Sequence, residues 1–286
     1  MFAIHVTIRK SCLAMALLVL SGVASYSAPQ TPAPATSTPA VPNPAVPALV
    51  VVGDSTANNK ANGARGWGDP LVEYFDPGKI NVVNRARAGR SSRTFITEGL
   101  WARVLAELKP GDFVLIQFGH NDGGPLDSGR ARGSLPGTGA ETQEITTPAG
   151  TKEIVHTYGW YLRQYIADAR ARNAIPIILS LTVRNIWKDG KVERGSGRFG
   201  EWAAEIAGKR RVDFVDLTTI VANRYDEMGE ERVKELFAGD HTHTNPGGAD
   251  LNAASVVAGL RALTNSKLAR FLSKKGSMVP VYKGVR

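Results

Sequence analysis

The chain has 286 residues, of which 43% are hydrophobic, so it can bury a full core, and its length suits one domain better than two. Its formal net charge of +9 favours anionic partners, but no cluster of five basic residues and no basic-aromatic strip is present, so no nucleic-acid partner is expected. The single cysteine, Cys12, lies in a predicted leader, which excludes a disulfide and a cysteine nucleophile from the mature protein.

The first 48 residues are predicted to precede the folded domain. Residues 1–28 have the pattern of a signal peptide, because basic residues precede an apolar run at residues 12–20 that is too short to span a bilayer. Residues 29–48 are rich in proline and are interpreted as a semi-rigid linker. We therefore expect a secreted or periplasmic bacterial protein, without stable membrane insertion after signal cleavage, whose folded domain covers residues 49–286.

Short apolar runs alternate with helical patterns along the rest of the chain. The apolar runs predict buried parallel strands at residues 49–52, 80–83, 113–118, 175–181 and 212–217. The helical patterns cover residues 99–108, 151–172, 200–207 and 247–263. This alternation predicts a three-layer α/β/α sandwich with a five-stranded parallel sheet and right-handed crossovers. The basic tail at residues 267–286 supports no prediction.

Three loops after predicted strands carry unusual polar residues. They are Gly53-Asp54-Ser55-Thr56, Arg87-Ala88-Gly89-Arg90 and Gly119-His120-Asn121-Asp122. Ligands of open parallel sheets bind at the carboxyl ends of the strands, so we expect these loops to meet at one site. Residues 123–150 are rich in Gly, Pro, Ser and Thr and lack periodicity. They predict either a wall of that site or a disordered surface insertion.

The residue types in these loops suit acyl transfer. A serine hydroxyl becomes a nucleophile when a histidine, oriented by a carboxylate, takes its proton. Asp240 precedes His243 by three residues and can reach its imidazole, and Ser55 offers the hydroxyl. Donors for the oxyanion of a tetrahedral intermediate would be the backbone N–H groups of Ser55 and Gly89 and the side-chain amide of Asn121.

These motifs resemble those of the SGNH (GDSL-like) hydrolases. The matching segments are GDST with Ser55, ARAGRSSRTF with Gly89, FGHND with Asn121 and DHTHTN with His243. Within that superfamily the chain is most similar to the rhamnogalacturonan acetylesterases, through GDSTANN, RARAGRSSRTF, IQFGHNDGG, HTYGWYLRQYI and LTVRNIW. The resemblance implies a flavodoxin-like fold, a triad of Ser55, Asp240 and His243, and an oxyanion hole of Ser55, Gly89 and Asn121. It also implies removal of acetyl groups from acetylated galacturonate residues of pectin.

The expected partner is therefore an acetylated acidic polysaccharide or oligosaccharide. Arginines near the strand-end loops can pair with carboxylates, and tryptophans on predicted loops can stack on sugars. The candidates are Arg87, Arg90, Arg93, Arg184, Trp67 and Trp187.

Other interpretations of the same residues stay open. A broader esterase or lysophospholipase on this scaffold would need an apolar acyl slot, and a noncatalytic polysaccharide-binding protein would carry a decayed site. A zinc site from Asp240, His241 and His243 is disfavoured, because one residue separates the histidines and no further ligand motif is evident. No metal or organic cofactor is expected.

Overall fold

Strands and helices alternate along the chain, and the computed structural model describes residues 1–3, 43–195, 197–264 and 266–284. The strands are β1 (Ala48–Gly53), β2 (Asn81–Asn84), β3 (Phe113–Gln117), β4 (Thr142–Thr146), β5 (Lys152–His156), β6 (Ile175–Leu179), β7 (Trp187–Lys188), β8 (Lys191–Val192) and β9 (Asp213–Val215). The α-helices are α1 (Ser92–Thr97), α2 (Leu100–Glu107), α3 (Tyr158–Ala171), α4 (Phe199–Arg210), α5 (Leu217–Met228), α6 (Glu230–Lys234), α7 (Pro246–Ala262) and α8 (Lys274–Met278). Two 3₁₀ helices cover Pro70–Tyr74 and Lys267–Phe271.

Five strands of the described part form one parallel sheet in the order β2-β1-β3-β6-β9. The predicted five-stranded α/β fold is confirmed. Val51 of β1 lies opposite Asn84 of β2 and Leu115 of β3, so these three strands run in register toward the same edge. The loops that follow them therefore open side by side, where ligands of such sheets bind.

Two apolar layers cover the faces of this sheet. Val51 and Leu115 belong to the layer that contains the buried residues of α5 and α7. Val50 and Ile116 belong to the opposite layer, with those of α2, α3 and α4. Neighbouring residues of a strand point to opposite faces, so the continuous apolar runs of the sequence serve both layers at once.

The prediction of one helix over residues 151–172 is wrong at its start. Residues 152–156 form β5, which pairs with β4 in an antiparallel hairpin. Helix α3 begins only at Tyr158, because the Thr157 side chain accepts the Trp160 N–H at 3.1 Å and caps the helix there. We call residues 123–156 the arm.

The two ends of the folded unit differ from the sequence-based expectations. Asn43, in the predicted linker, is hydrogen-bonded to β2, since its N–H donates to Asn81 Oδ1 at 2.9 Å. The predicted signal peptide and linker otherwise fall almost wholly on residues 4–42, outside the described residues. At the other end, Phe271 and Val279 are buried in the same apolar layer as α7. No helix in the described ranges combines the length and the apolar character that a membrane crossing requires.

Candidate active site

Ser55 stands on a tight turn directly after β1. Gly53, the last residue of β1, lies so close to β3 that an added Cβ would meet the Gln117 carbonyl oxygen at 2.7 Å. The backbone carbonyl of Asp54 then accepts the Asn58 N–H at 3.1 Å, which reverses the chain around the serine. Ser55 is thus fixed at the carboxyl edge of the sheet, with 8% of its surface exposed.

The side chains of Ser55, His243 and Asp240 form one hydrogen-bonded chain. Ser55 Oγ lies 2.9 Å from His243 Nε2, and His243 Nδ1 lies 2.6 Å from Asp240 Oδ2. An ionised carboxylate only accepts, so Nδ1 carries the ring proton and Nε2 is free to accept from Ser55. A general base at the serine requires this tautomer.

Asp240 is held as a carboxylate by its neighbours. Partial burial raises the pKa of Asp240, but hydrogen bonds from the His243 ring and from the backbone N–H groups of His243 and Thr242 outweigh that effect and lower it to about 2. Both backbone groups donate to Asp240 Oδ1 at 2.7 Å. A fixed negative charge at this position stabilises the imidazolium that forms when the base takes a proton.

The groups that the sequence predicts as oxyanion donors, on Ser55, Gly89 and Asn121, line one cavity. Gly89 has φ +79°, a conformation that favours glycine and leaves no Cβ in the way of a ligand. Within the described residues, neither Ser55 nor Gly89 donates its N–H to a backbone acceptor. Asn121 Nδ2 donates one hydrogen to the Arg90 carbonyl at 2.8 Å, which orients the amide and leaves its second hydrogen free.

Asp122, next to Asn121, joins three segments around the site. Its carboxylate accepts the N–H and the hydroxyl of Ser92, at the start of α1, and the hydroxyl of Ser134, in the arm, at 3.1 Å. Burial raises the pKa of Asp122 to about 6, although the bonds from Ser92 and Ser134 oppose the shift. The position of Asn121 therefore depends on a buried carboxyl group.

A cavity of about 690 Å³ opens beside these groups. It is lined by Ser55, Asn59, Ala88, Gly89, Arg90, Thr94, Glu98, His120, Asn121, Arg130, Arg132, Arg184, Thr242 and His243. Ala88 is the one aliphatic side chain among these lining residues. Four arginines face one glutamate, so the cavity is polar and electropositive.

Two of the predicted substrate-binding residues are in the core, and those predictions are wrong. Trp67 is fully buried, and its Nε1 donates to Gln117 Oε1 at 2.8 Å, so it offers no face to a sugar. Arg93 is 1% exposed and donates to both carboxylate oxygens of Glu153 at 2.7 and 2.9 Å. Its charge is already neutralised by the arm.

The other predicted contacts divide into two groups. Arg90 and Arg184 line the cavity. Arg87 is exposed at the same edge but outside the cavity lining, and Trp187 is half-buried, packs on the apolar layer of α7 and donates Nε1 to Asn185 Oδ1 at 2.7 Å. Neither of these two residues belongs to the lining of the cavity beside Ser55.

Arg130 and Arg132 bring the arm into the cavity wall, and neither was among the residues predicted from the sequence. Their signal is the segment Gly-Arg-Ala-Arg-Gly, two basic residues inside a stretch with no other periodic feature. His120 also lines the cavity; its Nε2 lies 3.1 Å from Thr182 Oγ1, and burial lowers its pKa. No cluster of three His, Cys, Asp or Glu side chains in the described ranges is arranged to hold a metal ion.

Comparison with known proteins identifies the enzyme family to which a site of this geometry belongs. The profile of the GDSL-like lipase/acylhydrolase family matches residues 51–251, which include the three strand-end loops and the Asp240–His243 segment. The chain belongs to this family. The resemblance to SGNH hydrolases and the predicted enzyme class, a carboxylic ester hydrolase, are confirmed.

Two relatives of this GDSL-like hydrolase carry a more specific name. A rhamnogalacturonan acetylesterase of Emericella nidulans is 34% identical over 205 residues, which are 72% of this chain and 81% of that protein. The rhamnogalacturonan acetylesterase RhgT of Bacillus subtilis is 26% identical over 246 residues, or 80% and 95% of the two chains. The crystal structure of YxiM from Bacillus subtilis has the same fold, with a TM-score of 0.60 at 24% identity over 75% of this chain and 56% of that one.

Proposed function

We propose that this GDSL-like hydrolase is an exported serine esterase that removes acetyl groups from an acetylated acidic polysaccharide, rhamnogalacturonan or a related pectic chain. The observation that carries the proposal is the continuous chain of hydrogen bonds from Ser55 Oγ through His243 to Asp240, at 2.9 and 2.6 Å, beside an electropositive cavity. Relatives named rhamnogalacturonan acetylesterase support the substrate class.

The first half of the reaction forms an acyl-enzyme. Ser55 Oγ attacks the acetyl carbonyl while His243 Nε2 takes the serine proton, and Asp240 stabilises the resulting imidazolium. The negative oxygen of the tetrahedral intermediate accepts from the N–H groups of Ser55 and Gly89 and from the free amide hydrogen of Asn121. When the intermediate collapses, His243 donates its proton to the departing sugar oxygen.

The second half releases acetate. His243 Nε2 takes a proton from a water molecule, and the resulting hydroxide adds to the acetyl-Ser55 carbonyl. The same donors stabilise the second oxyanion. Collapse returns the proton from His243 to Ser55 Oγ and frees acetate.

The composition of the cavity favours a charged glycan over a lipid. A long acyl chain gains its affinity from apolar wall area, and Ala88 is the one aliphatic residue that this cavity's described lining offers. Arginine pairs well with carboxylates, the charged groups of a galacturonate-containing chain. This composition also weighs against the broader esterase or lysophospholipase alternative.

Export is proposed from the sequence alone. Arg9 and Lys10 precede the apolar run at residues 12–20, which is the order of the first two parts of a signal peptide. A polymeric pectic substrate lies outside the cell, so export and substrate class agree with each other.

The test measures acetate release by the purified full chain from acetylated rhamnogalacturonan and acetylated xylan, and fatty-acid release from a long-chain acyl ester. The variants are Ser55→Ala and, as a matched control, Ser277→Ala, an exposed serine on α8. We expect release mainly from the pectic substrate, a loss of at least about 10³-fold in Ser55→Ala, and parent activity in Ser277→Ala. Ser55-dependent cleavage of xylan or lipid ester alone would overturn the substrate assignment, and activity that survives in Ser55→Ala would overturn the nucleophile.

A further inference from the structure

The charges around the cavity are not balanced within the protein. Glu98, the one acidic residue of the lining, is already paired with Arg90 at 2.8 Å. In the part of the chain that the structure describes, Arg130, Arg132 and Arg184 have no carboxylate oxygen within 4.0 Å. Three guanidinium groups around one cavity therefore lack a directly paired carboxylate in the described residues.

The guanidinium groups of Arg130 and Arg132 both lie beside Gly89, in the loop after β2 that we call the oxyanion loop (residues 87–90). A Cβ built on Gly89 would lie 3.7 Å from Arg130 Nη1 and 3.9 Å from Arg132 Nη1. Burial lowers the pKa of the Arg132 guanidinium and the neighbouring positive charge of Arg130 lowers it further, while the carboxylates of Asp54 and Asp122 oppose the shift. Arg130 is exposed and Arg132 is half-buried. Two neighbouring like charges raise the free energy of the empty site, and a bound anion offsets that repulsion.

The arm that carries this pair is anchored to the body of the protein. Arg93, buried under the arm, donates to Glu153 and to the carbonyl oxygens of Leu126 and Gly133 at 2.9 and 2.8 Å. Gly133 directly follows Arg132, so the backbone beside the pair is held by a buried guanidinium. A subsite fixed in this way loses little conformational freedom when a ligand binds.

We propose that Arg130 and Arg132 are specificity-determining residues that bind a uronate carboxylate of the glycan chain, beside the acetyl group that is removed. The inference rests on the proposed function and refines its substrate class. Both guanidinium groups lie next to Gly89, so the carboxylate that they bind lies on the acetylated sugar or on its immediate neighbour. Arg184 follows β6 and lines the same cavity on the other side of Ser55 in the strand order.

Arg132 has a second role that separates it from Arg130. Its Nη1 donates to the Gly89 carbonyl at 3.4 Å, so Arg132 also supports the peptide that precedes Arg90 in the oxyanion loop. Loss of Arg132 should therefore lower the rate on every acetyl ester. Loss of Arg130 should act mainly on charged substrates.

The kinetic test compares two forms of one substrate: acetylated rhamnogalacturonan with free carboxylates and the same polymer after methyl esterification. The parent should prefer the free acid, and Arg130→Gln should lower the ratio of the two kcat/KM values by roughly ten- to hundredfold, the effect of losing a charge-assisted hydrogen bond. Arg132→Gln should lower that ratio and also the rate on the methyl ester. The matched control Arg172→Gln, an exposed arginine after α3 at the opposite edge of the sheet, removes the same net charge and should keep the parent ratio.

A binding test separates failure of this inference from failure of the proposed function. Calorimetry with unacetylated trigalacturonate needs no catalysis, and we expect binding to the parent that weakens with salt and falls at least tenfold in Arg130→Gln, but not in Arg172→Gln. No binding to the parent, or equal binding to parent and Arg130→Gln, overturns the inference whatever the enzyme cleaves. Binding of trigalacturonate without acetate release from any pectic substrate overturns the proposed function but still supports a carboxylate-binding site at Arg130. Urea midpoints of the variants close to that of the parent establish that each remains folded.

Discussion

Replacing Arg93 by alanine should destabilise the protein far more than replacing another arginine with the same type of ion pair. Arg93 and Arg85 each donate two hydrogen bonds to one glutamate, Glu153 and Glu107 respectively. The environments differ: the Arg93 side chain is 1% exposed, whereas the side chains of Arg85 and Glu107 are 45% and 52% exposed. Arg93 donates to both carboxylate oxygens of its partner, and Arg85 donates both bonds to one oxygen, so the two substitutions compare a buried and an exposed arginine–glutamate pair with the same number of hydrogen bonds.

The expected magnitudes follow from burial. Breaking a buried pair by removing one partner costs about 3–5 kcal/mol, because the remaining charge is left without compensation. Glu153 retains 23% exposure, which favours the lower part of that range, but the carbonyls of Leu126 and Gly133 also lose a charged donor. We expect about 3–4 kcal/mol for Arg93→Ala, or a Tm lower by roughly 6–16 °C, and less than about 1 kcal/mol for Arg85→Ala.

Urea unfolding followed by circular dichroism measures both variants. A cycle with Arg93→Ala, Glu153→Ala and the double variant isolates the coupling between the two side chains. Arg93→Ala should also lose selectivity for the charged substrate, because the arm holds Arg130 and Arg132. Equal destabilisation by Arg93→Ala and Arg85→Ala would refute the reasoning, since burial would then contribute nothing.

Two further predictions concern carboxylates beside the site. Asp240→Asn should lower kcat for acetate release by about 10³–10⁴-fold, because the amide no longer selects the Nδ1–H tautomer of His243. A loss below tenfold would contradict the triad assignment. Since the pKa of Asp240 is about 2, protonation of Asp240 should not limit the parent's activity above about pH 3. The pKa of Asp122 is about 6 in the folded protein, against an ordinary value of 3.8. Because folding raises this pKa, the protonated carboxyl group stabilises the fold fully below about pH 4. Up to roughly 3 kcal/mol of that stability is lost as the pH rises through 6. Urea unfolding at pH 4 to 7 should show a weaker pH dependence in Asp122→Asn than in the parent, and identical slopes would exclude Asp122 as its source.

The features that sequence could predict depend on short-range rules. The strands at Val51 and Leu115 are recognisable because both sheet faces are covered, which gives continuous apolar runs. The loops after the first three strands must then share one edge, whatever the details of packing. Asp240 and His243 are close in the chain, so their contact needs no knowledge of the fold.

The features that sequence could not predict depend on what covers a residue. Trp67 and Arg93 both lie near strand-end loops, and their positions alone suit ligand contact. Burial of Trp67 depends on Gln117, 50 positions away, and burial of Arg93 depends on Glu153, 60 positions away. Polar atoms on these side chains can enter the core because distant partners satisfy them, and no local pattern records such partners.

The arm shows why the net charge of the chain could indicate the class of ligand but not the residues that bind it. The chain has 35 basic residues, and their types do not distinguish Arg93, whose charge is neutralised by Glu153, from Arg130, which has no carboxylate nearby in the described structure. The distinction arises when the arm folds back over α1 and its strand β5 places Glu153 against the buried Arg93. In this arrangement Glu153 neutralises the charge of Arg93 under the arm, while the charges of Arg130 and Arg132 remain beside Gly89. A substrate carboxylate is the missing partner of that pair, so the specificity of this hydrolase should change with substitutions in the arm while the triad stays the same.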